Sequence, residues 1–238
     1  MNREKQQFYR ALIYPVVLVG IMVLVYTLEV FGDFHWDDYG LKPGNWIGLR
    51  GILFSPFLHA SWEHLLSNAF PLLILGTALF YFFSGIAWEL MFWQFLMNGL
   101  MLWFLGAEGT IHIGASGLVY SMAFFLLFSG FIRKNKGLTM LSFAVIMLYG
   151  YLIWGMFPVQ PHVSWEGHLA GFLSGAVLAF FFRKEGPADD KKKVWDDSDL
   201  DGVEPYWEVD DAEDSDQVDE KAKPIQIHYT YRKSEDKK

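Results

Sequence analysis

The chain has 238 residues, 53% hydrophobic and 19% charged, with no cysteine and a formal net charge of −8. Residues 1–182 hold 17 of the ionised side chains and the last 56 residues hold 29. The first part is too sparsely charged to solvate a globular surface, which excludes an ordinary soluble enzyme. The lack of cysteine excludes a disulfide scaffold, a thiol nucleophile and a thiolate metal site. The acidic balance argues against a nucleic-acid partner.

A membrane span needs about 20 mostly apolar residues at helical rise. Six segments meet this in chain order: about 9–31, 64–83, 86–106, 114–132, 138–157 and 165–182. The first is too long for a signal peptide, and no small-residue cleavage site follows it. The expectation is an all-α membrane protein, a six-transmembrane helix bundle over 1–184, followed by a charged tail over 185–238.

Loop charge sets the orientation. Arg3, Lys5 and Arg10 precede the first span, Arg133, Lys134 and Lys136 link the fourth and fifth, and Arg183 and Lys184 follow the sixth. All three clusters fall on one side of a six-span chain, which predicts a multi-pass protein of the cell membrane with both termini cytoplasmic. The opposite side holds links 107–113 and 158–164, free of Lys and Arg, and the loop 32–63. That loop carries Trp46, Ile47, Leu49, Ile52, Leu53, Phe54, Phe57 and Leu58. So apolar a loop is expected either to lie at the outer interface as short amphipathic helices or to pack on the top of the bundle.

Strongly polar residues inside spans are costly and point to function. Three patterns stand out. His64 and Asn68 are four apart at the start of span two, hence on one helix face. Gly114-Ala115-Ser116-Gly117 opens span four and sets a serine at a helix N-terminus, where backbone N–H groups are unpaired. His168, Gly171 and Gly175 form a small-residue stripe in span six. Spans two and six enter from the outer side and span four starts there, so the three patterns share one depth. A serine, an imidazole and side-chain donors in one layer are the parts of acyl transfer: nucleophile, general base and oxyanion donors.

Other chemistries fit less well. The H-E-x-x-H zinc motif is absent, and no Asp lies in any of the six segments, as an aspartyl intramembrane protease would need. A metal site of His59, His64, His112 and His168 would leave the glycine-flanked serine unexplained.

On these residues the sequence resembles the rhomboid intramembrane serine proteases, over roughly 45–182. The resemblance rests on His64-x3-Asn68, Gly114-x-Ser116-Gly117 and His168-x2-Gly171-x3-Gly175, in that order. It implies Ser116 as nucleophile and His168 as base. It implies His64, Asn68 and the serine's own backbone N–H as oxyanion donors. Tyr120 matches an aromatic that packs on the catalytic histidine, and Gly114, Gly117 and Gly171 support the site. The implied activity is a Ser-His endopeptidase that needs no cofactor and cleaves in or near transmembrane segments of other membrane proteins. Its partners are those substrates and membrane lipid, and the alternative is a non-proteolytic scaffold that binds transmembrane helices. Where many members carry an adjacent Trp-Arg pair in the first loop, this chain has Trp46 and Arg50, four apart.

Without an aspartate, His168 is expected to be oriented by packing against Tyr120 and the glycine stripe. A water-filled cavity lined by His59, His64, Asn68 and Ser116 is expected to open outward. Substrate entry is expected past span five, with Trp154 and Phe157 as gate residues. In the tail, Asp197, Asp199, Asp201 and Glu208, with Gly202 between, match the spacing of a calcium loop. An acidic stretch produces the same match by chance.

Overall fold

The computed structural model describes residues 2–148, 154–158 and 164–187. The chain divides at 192/193, and every described residue lies in the first unit. The candidate calcium loop of Asp197, Asp199, Asp201 and Glu208 lies outside the described residues.

Among the described residues the regular elements are helices, together with one antiparallel bridge between Leu41 and His112. The helices are α1 (Arg3–Gly32), α2 (Gly51–Phe54), α3 (Trp62–Phe82), α4 (Ala87–Leu105), α5 (Ser116–Ile132), α6 (Lys136–Leu148) and α7 (Trp165–Phe181). Five of the apolar segments expected from the sequence are covered by α1, α3, α4, α5 and α7, and α6 covers the first part of the fifth segment. By length and composition α1 and α3 are each able to cross a bilayer. The 17-residue α5 and α7 sit at the short end of the usual range of about 17–25.

Two of the helices, α3 and α7, start at a capping serine. Ser61 accepts the His64 N–H at 3.1 Å at the start of α3, and Ser164 accepts the Gly167 N–H at 3.3 Å at the start of α7. Glu63 and Glu166 lie in those first turns, where the helix dipole favours an acid. Asp33 ends α1 in the left-handed region, at φ 53°, with its N–H on the Glu29 carbonyl.

The central helix is α5, buried nearly all round by Leu118, Val119, Tyr120, Met122, Phe125 and Leu126. A helix apolar on every side belongs inside a bundle or a membrane. Its most extensive neighbour is α7. Lipid tails are as apolar as Leu, so helix association in lipid rests on close packing rather than on burial from water. The small residues supply that packing. A Cβ on Gly171 would collide with the Gly117 carbonyl and the Tyr120 side chain, and one on Gly175 would meet the Ser121 carbonyl at 2.5 Å. Between these two contacts, the Ser174 hydroxyl donates to the Gly171 carbonyl at 2.9 Å, and its oxygen lies 3.0 Å from Ser121 Oγ. Helix α1 lies against α3, where Gly76 makes room for the Pro15 ring.

Residues 47–57 of the first loop form consecutive short helical turns. Gly48, Gly51, Ser55 and Pro56 face inward, and Trp46, Ile47, Leu53 and Phe54 face outward. Trp46 and Arg50 do not act as a pair. The Trp46 ring packs on Trp103, while Arg50 donates to the Asp38 carbonyl at 2.8 Å and lies over the Tyr39 ring.

Candidate active site

Ser116 is the first residue of α5, and His168 stands one turn into α7. The close α5–α7 packing brings them together, with Ser116 Oγ 2.9 Å from His168 Nε2. His168 Nδ1 lies 2.8 Å from the Gly155 carbonyl oxygen. A carbonyl only accepts, so Nδ1 carries the ring hydrogen and donates it. Nε2 then presents its lone pair to the serine hydroxyl, the tautomer a general base needs. The Tyr120 ring stacks on the imidazole, with centroids 4.2 Å apart and planes 7° apart. The expected packing is present, and a backbone carbonyl adds the hydrogen bond that fixes the tautomer. Nothing in the sequence marks Gly155 for this, because every residue carries a carbonyl.

The serine is held from the other side by the turn before it. Gly114 has φ +104°, a left-handed value that a side chain would strain. A Cβ there would also meet His64 Nε2 at 2.6 Å. Its N–H donates to the Ser55 carbonyl at 2.8 Å, which ties the serine turn to the first loop. Gly117 is packed as tightly, with the Asn98 side chain where its Cβ would be. Asn98, on α4, is a neighbour of the serine turn that the sequence patterns did not single out.

His64 and Asn68 share one face of α3, and both reach the Gly114 turn. The Asn68 amide donates one hydrogen to the His64 carbonyl at 3.1 Å and is almost fully buried. A cavity of about 610 Å³ joins these groups, lined by His64, Asn68, Ile111, Ser116, Gly155 and His168 among others. His59 does not line it. The His59 ring is buried behind His64, with centroids 5.0 Å apart. Burial, and then the neighbouring His64, push its pKa down to about 4. Among the described residues no group of three His, Cys, Asp or Glu side chains is placed to hold a metal ion.

Trp154 and Phe157, beside Gly155, are both exposed. His112, four residues before Ser116, is buried, and its ring lies between the Ser164 and Thr110 hydroxyls. Its place next to the serine turn is legible in the sequence, but its partners are not.

Comparisons with known proteins identify the family of the chain. The family model of the Rhomboid domain matches residues 46–185. An uncharacterized protein of Mycobacterium tuberculosis is 34% identical over 69% of this chain and 72% of its own length. An uncharacterized protein of Mycobacterium leprae is 35% identical over 74% of each. The mitochondrial RHOMBOID-like protein 6 of Arabidopsis thaliana is 30% identical over 65% of this chain and 49% of its own length. With more than half of its length matched by that domain, the chain belongs to the rhomboid family and is a membrane protein.

Proposed function

We propose that the protein is an intramembrane serine endopeptidase that hydrolyses peptide bonds in or near transmembrane segments of other membrane proteins. The observation that carries this reading is the pairing of Ser116 Oγ with the unprotonated Nε2 of His168, with Nδ1–H committed to the Gly155 carbonyl. Ser116 Oγ attacks the scissile carbonyl carbon while Nε2 takes its proton. The C–N bond breaks as that proton passes to the departing amine, and water hydrolyses the acyl ester with His168 again as base. The Gly155 carbonyl dipole stabilises the transient imidazolium, the part a buried aspartate plays in a triad. Asn68, His64 and the Ser116 N–H are the donors for the developing oxyanion. The cavity supplies water to a site below the membrane surface.

The substrate is a transmembrane helix that must unwind locally, because a helix shields its own carbonyls. Exposed Trp154 and Phe157 border the entry beside Gly155. The same reading makes the protein a multi-pass component of the cell membrane with both termini cytoplasmic. Residues 1–184 form the protease domain and 185–238 an acidic tail. The basic clusters at 3–10, 133–136 and 183–184 support that orientation.

The test is cleavage of a tagged membrane substrate by reconstituted wild type and Ser116→Ala, with fluorophosphonate labelling of both. Cleavage and labelling by wild type alone are expected. If wild type binds the substrate helix but neither cuts it nor labels, the protein is a scaffold.

A further inference from the structure

A second histidine–serine pair stands beside the Ser116–His168 pair, with the residue types exchanged between the two segments. Ser116 lies four residues after His112, and His168 four residues after Ser164. His112 Nδ1 is 2.6 Å from Ser164 Oγ. The segment that carries the candidate nucleophile and the helix that carries the candidate base are therefore joined by two histidine–serine pairs, four residues apart on each side, in addition to the Ser174–Ser121 contact.

The hydrogens of this second pair can be assigned. Thr110 Oγ1 donates to the Ala107 carbonyl at 2.6 Å, so it accepts from His112 Nε2–H, 2.8 Å away. Nδ1 of the neutral ring is then an acceptor, and Ser164 donates its hydroxyl hydrogen to it. Ser164 Oγ in turn accepts the Gly167 N–H, and the Ser164 carbonyl accepts the His168 N–H at 3.2 Å. The chain of bonds runs from the turn 107–110 through His112 to the first turn of α7. The backbone of His112 is pinned as well. It exchanges both hydrogen bonds with Leu41, at 2.8 and 2.9 Å, in the bridge to the first loop. A group held at the backbone and at both ring nitrogens has little freedom, and what it holds is the spacing between the two segments.

We propose that His112 is a positioning residue that, through Ser164, sets the distance and angle between Ser116 and His168. This rests on the reading of Ser116 and His168 given above. The His112 ring bonds Thr110 and Ser164 rather than Ser116 or His168, although His112 and Ser164 both line the same cavity. Displacing a reacting group by about 1 Å costs up to about 10²-fold in rate. Loss of the tie therefore appears in the chemical step rather than in binding.

The experiment uses the full chain in detergent. Three quantities are measured: the rate of fluorophosphonate labelling at Ser116, kcat and KM on a tagged membrane substrate, and the melting temperature. His112→Phe keeps the ring volume and removes the acceptor. Labelling rate and kcat should fall together by about tenfold to 10²-fold, with KM unchanged within about twofold. His112→Asn puts an amide oxygen in place of Nδ1 and should recover most of the loss. Should His112→Phe fail to fold, Ser164→Ala removes the same bond from the other side and should give the same fall. A folded His112→Phe or Ser164→Ala that labels at the wild-type rate overturns the proposal. So does a His112→Asn no better than His112→Phe. A wild type that never labels overturns the dyad reading itself and this one with it.

Discussion

The two ends of the α5–α7 pair are built from the same close packing and do opposite things. At one end Ser116 and His168 meet in a cavity, with a hydroxyl and a ring nitrogen facing each other and open space beside them. At the other end the Arg133 guanidinium donates to the Arg183 carbonyl at 2.6 Å and to the Phe182 carbonyl. It also lies over the Phe83 ring. The carbonyls at the C-terminus of a helix need donors, and a cation there also complements the helix dipole. Arg133 is thus a clamp that ends α7 and ties it to α5 and to the segment after α3. A closed end holds its donors on carbonyls, whereas a reactive end leaves one acceptor aimed at one hydroxyl.

The largest expected effect breaks the reactive end. Ser116→Ala and His168→Ala should each reduce cleavage to background in folded protein. The double variant should be no worse than either single one, because the two act as a unit. Near wild-type turnover in either single variant would remove the dyad. Next is Asn68→Ala, expected to lower kcat by about 10²–10³-fold, the usual cost of one oxyanion donor. Unchanged turnover would make Asn68 a purely structural group.

The closed end should respond in stability and not in rate. Arg133→Met removes charge-assisted bonds to two carbonyls, each worth about 1.5–3 kcal/mol. The melting temperature in detergent should fall clearly, while kcat below the transition stays within about twofold of wild type. A large loss of kcat without a loss of stability would erase the contrast between the ends.

The smallest effect concerns His59, buried behind the site with its pKa lowered to about 4. Its folded pKa lies below the unfolded value of about 6.5, so between these values the unfolded chain binds more protons. Stability contributed by the neutral ring is complete above about pH 6.5 and is lost as pH falls toward 4. The loss is at most about 3 kcal/mol by linkage. Melting curves at pH 7 and pH 5 should show a smaller acid loss for His59→Phe than for wild type. Equal losses would mean that His59 carries no part of the acid sensitivity.

Much of the fold was legible because a membrane limits the choices. Unpaired backbone groups are too costly in lipid for anything but helices or a closed barrel, so long apolar stretches read directly as helices. The candidate site was legible where chemistry and spacing coincide. His64 and Asn68 fall on one helix face, a glycine-flanked Ser116 opens a helix, and His168 heads a small-residue stripe. Even the stacking of Tyr120 on His168 followed from the resemblance to the family. The expectation that His59 lines the cavity did not match, since four residues decide a helix face but not what a preceding loop residue turns toward.

What the sequence by itself determined is the set of apolar segments, the small-residue stripe and the residue types able to do acyl-transfer chemistry. Each depends on local properties: hydropathy, period and side-chain function. Tertiary structure alone decided three things. One is that the Gly155 carbonyl receives the His168 Nδ1 hydrogen. Another is that His112 reaches Ser164 across 52 residues of chain. The last is that Leu41 pairs with His112 to tie the first loop to the serine turn. The physical reason is common to all three. A backbone carbonyl, or a hydroxyl that caps a helix, gains its role from what is packed against it, and packing between segments distant in sequence is not written in the pattern of either one.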